Sequence, residues 1–111
     1  DGVRVGGAVE LGGLELPPNY QRSKVLLDKA AKFLPGLNTE NGVQWMGFRP
    51  SMPDSLPVIG YASHTKRIVY AFGHGHLGLT QAAGTAELVA ALVFGQTPAI
   101  SVHAYSAQRF Q

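Results

Sequence analysis

Two stretches of the sequence carry residue types that could bind a ligand. The first is a glycine-rich segment at residues 73–80, which follows a strand-like run at 68–72 and precedes a run of small residues at 81–94. A helix that starts after such a turn presents free backbone N–H groups and the positive end of its dipole. Glycines let a ligand approach that backbone closely, so the turn favours an anionic or electron-rich group. A glycine-rich turn alone is a weak signal, and its meaning depends on the rest of the chain.

The second stretch contains Arg49, near the end of a strand-like segment at 43–50. A period of two places Arg49 on the same face as Trp45 and Gly47. The pattern alone favours a structural role, either an ion pair, for which Asp54 is a nearby partner, or a solvated sheet edge. The functional alternative is a bidentate clamp on a substrate carboxylate, which the planar guanidinium group suits.

Other chemistry finds less support in the sequence. His74 and His76 could share a metal ion, but no acidic or cysteine ligand stands at a recognisable spacing from them. A Ser/His/Asp triad could be assembled from the composition, but no nucleophile-elbow motif accompanies it. We therefore predict no metal site and no catalytic residue of these types. Of the remaining candidates, His64 and His103 are interpreted as surface residues, and Tyr61, Tyr70 and Tyr105 as core or surface residues.

The sequence pattern around these residues predicts an α+β fold, with antiparallel strands and two main helices that position them. Strands are expected at 43–50, 56–61 and 68–72, with a polar turn at 63–67. Glycine-interrupted strands, in one interpretation a hairpin, are expected near residues 3–5 and 8–11.

The first helix is predicted at about 20–33, and the second at about 79–94. In the first, the residues at helical spacing are Val25, Leu26, Lys29, Ala30 and Phe33, with Lys24, Asp28 and Lys32 facing water. The second is apolar or small nearly all round, which is typical of a buried helix whose cover another part of a larger protein would supply. Gly95 and Pro98 should end it, and the tail at 100–111 is weakly informative.

The composition narrows the classes of function. The chain has 111 residues, a net charge of +2 and no cysteine. The positive charges are scattered without interleaved aromatic residues, so nucleic acid is not expected as a partner. The absence of cysteine excludes disulfides and thiolate chemistry.

Two motifs together resemble the C-terminal part of the FAD-dependent D-amino acid oxidase superfamily, and most closely the bacterial D-amino acid dehydrogenases. Residues 49–60 read Arg-Pro-x-x-Pro-Asp-x-x-Pro-x-Ile-Gly, and residues 73–80 read Gly-His-Gly-x-x-Gly-Leu-Thr. Residues 3–19 are also similar, so the resemblance covers most of the chain. The superfamily's N-terminal dinucleotide fingerprint, which forms the main pyrophosphate and adenosine site, is missing from this sequence.

The resemblance implies a fragment of a two-layer oxidoreductase that uses FAD. Residues 1–72 would belong to the substrate-binding layer, and residues 73–111 would return to the FAD-binding layer. Arg49 would hold the carboxylate of a D-amino acid or a related amino or imino acid, which loses a hydride from Cα to flavin N5. The turn that would approach the pyrimidine edge of the isoalloxazine consists of Gly75, His76, Leu77, Gly78, Leu79 and Thr80.

The implied partners are the amino or imino acid substrate and the N-terminal remainder of the parent protein. The implied location is cytoplasmic, with peripheral contact to the inner face of a bacterial membrane through a quinone acceptor as one option. The 111 residues alone are expected to be inactive, to hold FAD weakly and to self-associate through the second helix. The alternatives are a non-catalytic binding module and, with the least support, a metal hydrolase built on His74 and His76.

Overall fold

The computed structural model describes residues 2–110 and divides into two compact units, with the boundary between Phe48 and Arg49. The elements form the mixture of helices and antiparallel strands that the sequence predicts, so the α+β fold class is confirmed. Within the described residues, neither helix combines the length and the apolar character needed to cross a membrane.

The first unit contains one helix, α1, at Gln21–Phe33, which confirms the predicted helix. At its start, the side chain of Asn19 accepts a hydrogen bond from the backbone N–H of Gln21 at 3.1 Å. At its end, Gly36 adopts a left-handed backbone with φ of +88°, which a residue with a side chain adopts less readily. The expected inner face is only partly formed: Leu26 and Ala30 are half-buried, whereas Val25, Lys29 and Phe33 are exposed.

The strands predicted in the first unit are absent from its described residues. Residues 3–5 and 8–11 and the segment 43–50 have no regular secondary structure. The prediction was wrong because a strand needs a neighbour with which to exchange a ladder of backbone hydrogen bonds, and no described strand pairs with these residues. Only Pro50, at the end of the segment 43–50, accepts such a bond, from the N–H of Gly75. Alternation of residue types alone therefore did not produce a strand here.

The second unit is built on an antiparallel hairpin of β1, Val58–Ala62, and β2, Thr65–Phe72. Both strands were predicted, but β2 begins within the expected polar turn, so only Ser63 and His64 connect the strands. The register shifts between Tyr61, which pairs with Val69, and Ala62, which pairs with Thr65. This irregularity extends β2 toward the turn.

Helix α2, Ala82–Val93, packs on the hairpin and encloses the core of the second unit. Leu88 and Leu92 contact Ile59 of β1, and the hydroxyl of Tyr61 donates a hydrogen bond to the carbonyl of Leu92. The chain leaves the helix at Gly95, whose N–H bonds to the carbonyl of Leu92 while the N–H of the next residue bonds to Ala91. This pair of backbone hydrogen bonds is the Schellman motif, so the predicted end of the helix at Gly95 is confirmed.

Two details of the second helix differ from the prediction. The chain from Leu79 to Gln81 forms turns, and the regular helix starts only at Ala82. The helix is also not buried all round: Leu88 and Leu92 are its buried residues, while most of its alanines are exposed. The reason is geometric, because among the described elements the hairpin covers one side of this helix, and Val102 and Tyr105 pack against the same core.

Candidate functional site

The structure joins the two predicted site segments directly. The carbonyl of Pro50 accepts a hydrogen bond from the backbone N–H of Gly75 at 3.0 Å, and Ser51 pairs with His74 in an isolated antiparallel bridge. Arg49 is the residue immediately before this connection. The backbone therefore holds the start of the Arg-Pro motif against the glycine-rich turn.

Arg49 itself is exposed and makes no hydrogen bond or ion pair with any residue between 2 and 110. The predicted competing partner, Asp54, is bound by Arg109 instead: Nε of Arg109 lies 2.6 Å from Oδ2, and Nη2 lies 3.1 Å from Oδ1. This bidentate pair holds the pKa of Asp54 below its ordinary value of 3.8. The Arg49–Asp54 ion pair, one of the structural alternatives for Arg49, is thus absent from the described structure, and the exposed Arg49 guanidinium is available to a ligand.

Gly73 and Gly75, at the start of the glycine-rich turn, lie close to side chains of the Arg-Pro motif. Gly73 is buried with φ of +82°, and an added Cβ would lie 2.6 Å from Cγ of Met52. At Gly75, with φ of +55°, an added Cβ would lie 3.1 Å from Oγ of Ser51. These glycines therefore serve both the left-handed backbone and the close approach of the two segments. A small cavity of about 130 Å³ lies between the segments, lined by Ser51, Met52, Ser55 and residues 73–77.

Some backbone donors of the turn are already used. The N–H of Gly75 binds Pro50, and the N–H of Leu77 binds the carbonyl of His74. The N–H groups of four of the predicted cofactor residues donate no hydrogen bond within the described part of the chain; they belong to His76, Gly78, Leu79 and Thr80. Four backbone N–H donors are thus available just before α2, whereas the N–H of Gly75 already holds the turn against Pro50.

The histidines differ in environment. His74 is half-buried, and its Nε2 lies 3.0 Å from Oγ1 of Thr85, which ties the turn to the first part of α2. His76 is exposed, as are His64 and His103, whose predicted surface positions are confirmed. Among residues 2–110, no group of three or more histidine or carboxylate side chains is arranged to hold a metal ion.

Residues 73–78 also match the spacing Gly-x-Gly-x-x-Gly between a strand and a helix. A dinucleotide fingerprint requires a parallel strand–helix–strand unit. Here β2 pairs antiparallel with β1, and α2 is followed by two short 3₁₀ helices, His103–Tyr105 and Ala107–Phe110. Within residues 2–110, the spacing therefore lacks the context that binds a pyrophosphate.

Two contacts of this region escaped the sequence analysis. Arg109 lies in the tail considered weakly informative, and it reaches Asp54 from the far end of the chain. Thr85 lies within a helix of small residues and bonds to His74 across a turn. Each pair is far apart in the sequence and follows no local spacing, so only the fold could reveal it.

The chain belongs to the DAO family. The family model described as FAD dependent oxidoreductase matches residues 1–92. The predicted superfamily membership is therefore confirmed.

Two relatives show the kinds of protein that this chain resembles. It is 45% identical over 113 aligned positions to a D-amino-acid oxidase of Bradyrhizobium diazoefficiens, covering 98% of this chain and 27% of that protein. It is 36% identical over 111 positions to a D-amino acid dehydrogenase of Paramagnetospirillum magneticum, covering 99% of this chain and 26% of that protein. The chain thus spans about a quarter of the length of these relatives. The roles of Arg49 and of residues 75–80 stay predictions.

Proposed function

We propose that the protein containing this chain oxidises a D-amino acid or a related amino or imino acid with FAD. The observation that carries the proposal is the free guanidinium of Arg49, next to the backbone bond that joins Pro50 to Gly75. Membership of a family of FAD-dependent oxidoreductases and relatives named for D-amino acids support the choice of substrate class.

Arg49 would bind the substrate carboxylate. Its guanidinium has no partner among the described residues, so binding breaks no existing ion pair there. The guanidinium fork offers two parallel N–H donors to the two carboxylate oxygens, which fixes the orientation as well as the position of the substrate. Such alignment matters because transfer of a hydride from Cα depends on distance and angle more than on a protein base.

Residues 76–80 would hold the pyrimidine edge of the isoalloxazine. FAD, when bound, supplies the two-electron acceptor for the hydride. The free N–H groups of His76, Gly78, Leu79 and Thr80 suit the electron-rich oxygen and nitrogen atoms of that edge. The positive end of α2, which starts at Ala82, favours negative charge at the same place. The residues present therefore fit the group.

We favour a dehydrogenase over an oxidase because residues 53–54 and 73–80 look more like the dehydrogenase members. The relatives carry both names, and the more similar of the two is named an oxidase. Oxidation assays of the purified protein with oxygen and with a quinone as alternative acceptors decide between them. Faster turnover with the quinone supports our choice, and equal or faster turnover with oxygen contradicts it.

The test of the substrate site is Arg49→Lys in the full-length protein, with Arg67→Lys as the matched control. Arg67 is an exposed arginine of the same unit whose side chain has no partner among residues 2–110. Losing the second charge-assisted hydrogen bond costs about 1.5–3 kcal/mol, so kcat/KM should fall roughly ten- to hundredfold. The flavin content should not change. An unchanged kcat/KM, or a loss of flavin instead of substrate affinity, would contradict the role of Arg49.

A further inference from the structure

Arg109 binds the turn that follows Arg49 through Nε and Nη2 of its guanidinium group. Besides the two bonds to Asp54, its Nη2 donates to the carbonyl of Leu56 at 2.7 Å and its Nη1 donates to the carbonyl of Ser106 at 3.0 Å. The Arg109 side chain is 15% exposed, and that of Asp54 is 35% exposed. We call this set of contacts the Arg109 latch. It connects the tail of the chain to the Pro-Asp turn and to the residue that leads into β1.

The latched turn has an uncommon backbone. Ser55 adopts a left-handed conformation with φ of +63°, which a residue other than glycine occupies at a cost. The turn is closed by a bond from the N–H of Ser55 to the carbonyl of Met52 at 3.0 Å, and Oδ1 of Asp54 accepts a bond from the N–H of Leu56 at 3.1 Å. Such a conformation persists because its surroundings hold it, and the latch is a major part of those surroundings.

The same turn contacts the glycine-rich segment. The side chain of Met52 fills the space at Gly73, and Ser51 pairs with His74. On the other side of Ser51, the carbonyl of Pro50 binds the N–H of Gly75. A shift of the Pro-Asp turn would therefore move the backbone that carries Arg49 together with the turn proposed to face the flavin.

We propose that Arg109 is a positioning residue that acts through Asp54 to set Arg49 for binding of the substrate carboxylate. The inference rests on the proposed function and adds to it a residue of the chain's tail, beyond the residues that the family model matches. Arg109 itself is assigned no contact with substrate, because four of its five N–H donors are engaged with Asp54, Leu56 and Ser106.

The test compares latch variants of the full-length holoenzyme. Arg109→Met removes the latch, and Asp54→Asn keeps an acceptor for the N–H of Leu56 while it removes the charge that Arg109 binds. Arg109→Lys keeps the positive charge and loses the fork. Arg67→Met, at the exposed arginine defined above, is the control.

The first measurement is the dissociation constant of acetate, followed through the change in flavin absorbance. Because a displacement of about 1 Å can cost up to a hundredfold in a positioned site, we expect acetate to bind about tenfold more weakly in Arg109→Met and Asp54→Asn. Arg109→Lys should be intermediate, and Arg67→Met should equal the wild type. KM for the substrate should rise in parallel, with a smaller change in kcat. If Arg109→Met does not fold, acetate binding by Asp54→Asn gives the same comparison with the wild type, because this variant also removes the Arg109–Asp54 ion pair.

A double-mutant cycle with Arg49→Met separates positioning from general stabilisation. If the latch acts through Arg49, the double variant Arg49→Met/Arg109→Met binds acetate no more weakly than Arg49→Met alone. If the latch only stabilises the fold, the two effects on the dissociation constant are additive, or Arg109→Met lowers the unfolding temperature without changing acetate binding. Either of these results overturns the inference.

The failure of this inference differs from the failure of the proposed function. If Arg49→Met itself leaves acetate binding unchanged, the role of Arg49 is wrong, and the positioning role falls with it. If Arg49→Met weakens binding while Asp54→Asn and Arg109→Met do not, the role of Arg49 stands and that of Arg109 is refuted.

Discussion

Replacement of Gly73 by alanine tests the packing between the Arg-Pro motif and the glycine-rich turn. Two separate costs meet at this position. The backbone is left-handed with φ of +82°, and the new Cβ would lie 2.6 Å from Cγ and 2.8 Å from Sδ of Met52. Distances below 3.0 Å essentially never occur for a real Cβ, so the Met52 side chain has to move.

The two costs can be given magnitudes. A left-handed backbone costs an alanine about 1–2 kcal/mol relative to glycine. Displacement of Met52 from a preferred rotamer adds about 0.5–1.5 kcal/mol, since methionine is flexible enough to relieve the overlap without moving the backbone. We therefore expect Gly73→Ala to lower the free energy of unfolding by about 2–3 kcal/mol.

Two other glycines of the same unit serve as matched controls. Gly95 also has a left-handed backbone, with φ of +65°, but no atom lies within 4 Å of an added Cβ. Gly95→Ala should thus show the backbone cost alone, about 1–2 kcal/mol. Gly84 lies in α2 with free space and an ordinary helical backbone, so Gly84→Ala should raise stability by about 0.5–1 kcal/mol.

The assay is urea unfolding followed by circular dichroism, with an unchanged slope as the check that the transition remains comparable between variants. The variant Met52→Ala/Gly73→Ala should show a favourable coupling of about 1 kcal/mol, because the overlap is gone while the backbone cost stays. The reasoning is refuted if Gly73→Ala costs no more than Gly95→Ala, or if the coupling with Met52 is absent.

Three further predictions concern charge, packing and association. The pKa of Asp54 is lowered in the folded state, so its ionised form should add stability above pH 3.8 that is lost as the pH falls through the lower folded pKa. Carbon NMR titration of the Asp54 carboxyl should show this lowered pKa and its loss in Arg109→Met. A wild-type pKa at or above 3.8 would contradict the prediction. Tyr61→Phe should lower the free energy of unfolding by about 0.5–1.5 kcal/mol, measured in urea, because the Leu92 carbonyl loses the Tyr61 hydroxyl as a donor and keeps the N–H of Gly95. An unchanged free energy of unfolding, or a loss above about 3 kcal/mol, would count against this hydrogen bond. We also propose that residues 1–111 alone self-associate through α2 and hold FAD weakly, since Val93 and Phe94 are 61% and 76% exposed. Sedimentation tests the association, and a flavin absorbance scan tests the binding of FAD. A monomer with stoichiometric flavin would refute the proposal.

Local rules predicted the elements whose signals are local. Helix α1 is bounded by Asn19 and Gly36, and α2 ends at Gly95. Local side chain–backbone bonds and left-handed glycines act within a few residues, so helix ends of this kind have local sequence signals. The hairpin was predicted for a similar reason, because its strands are consecutive and need only a short turn.

The errors arise where structure depends on a distant partner. Residues 43–50 have the residue pattern of a strand, yet a pattern cannot supply the neighbouring strand that would complete its hydrogen bonds. The Arg49–Asp54 ion pair, which the sequence offered as one alternative, fails for the same reason: Arg49 is five positions away in the sequence, whereas the observed partner, Arg109, is 55 positions away. Proximity along the chain favoured the wrong arginine, and the correct pair became visible only when the tail returned to the Pro-Asp turn.

The pairing of Asp54 with Arg109, and not with Arg49, has a chemical consequence. A carboxylate that is already bound bidentately by one arginine attracts a second one less strongly, because the first guanidinium offsets its charge and Oδ1 also accepts a bond from the N–H of Leu56. By occupying Asp54, Arg109 thus keeps the nearest acidic side chain of the motif away from Arg49. A positive charge without an internal partner is what recognition of an external carboxylate requires, since a guanidinium that is already paired would have to exchange one carboxylate for another at no net gain. The unpaired Arg49 and the paired Arg109 are therefore two parts of one arrangement.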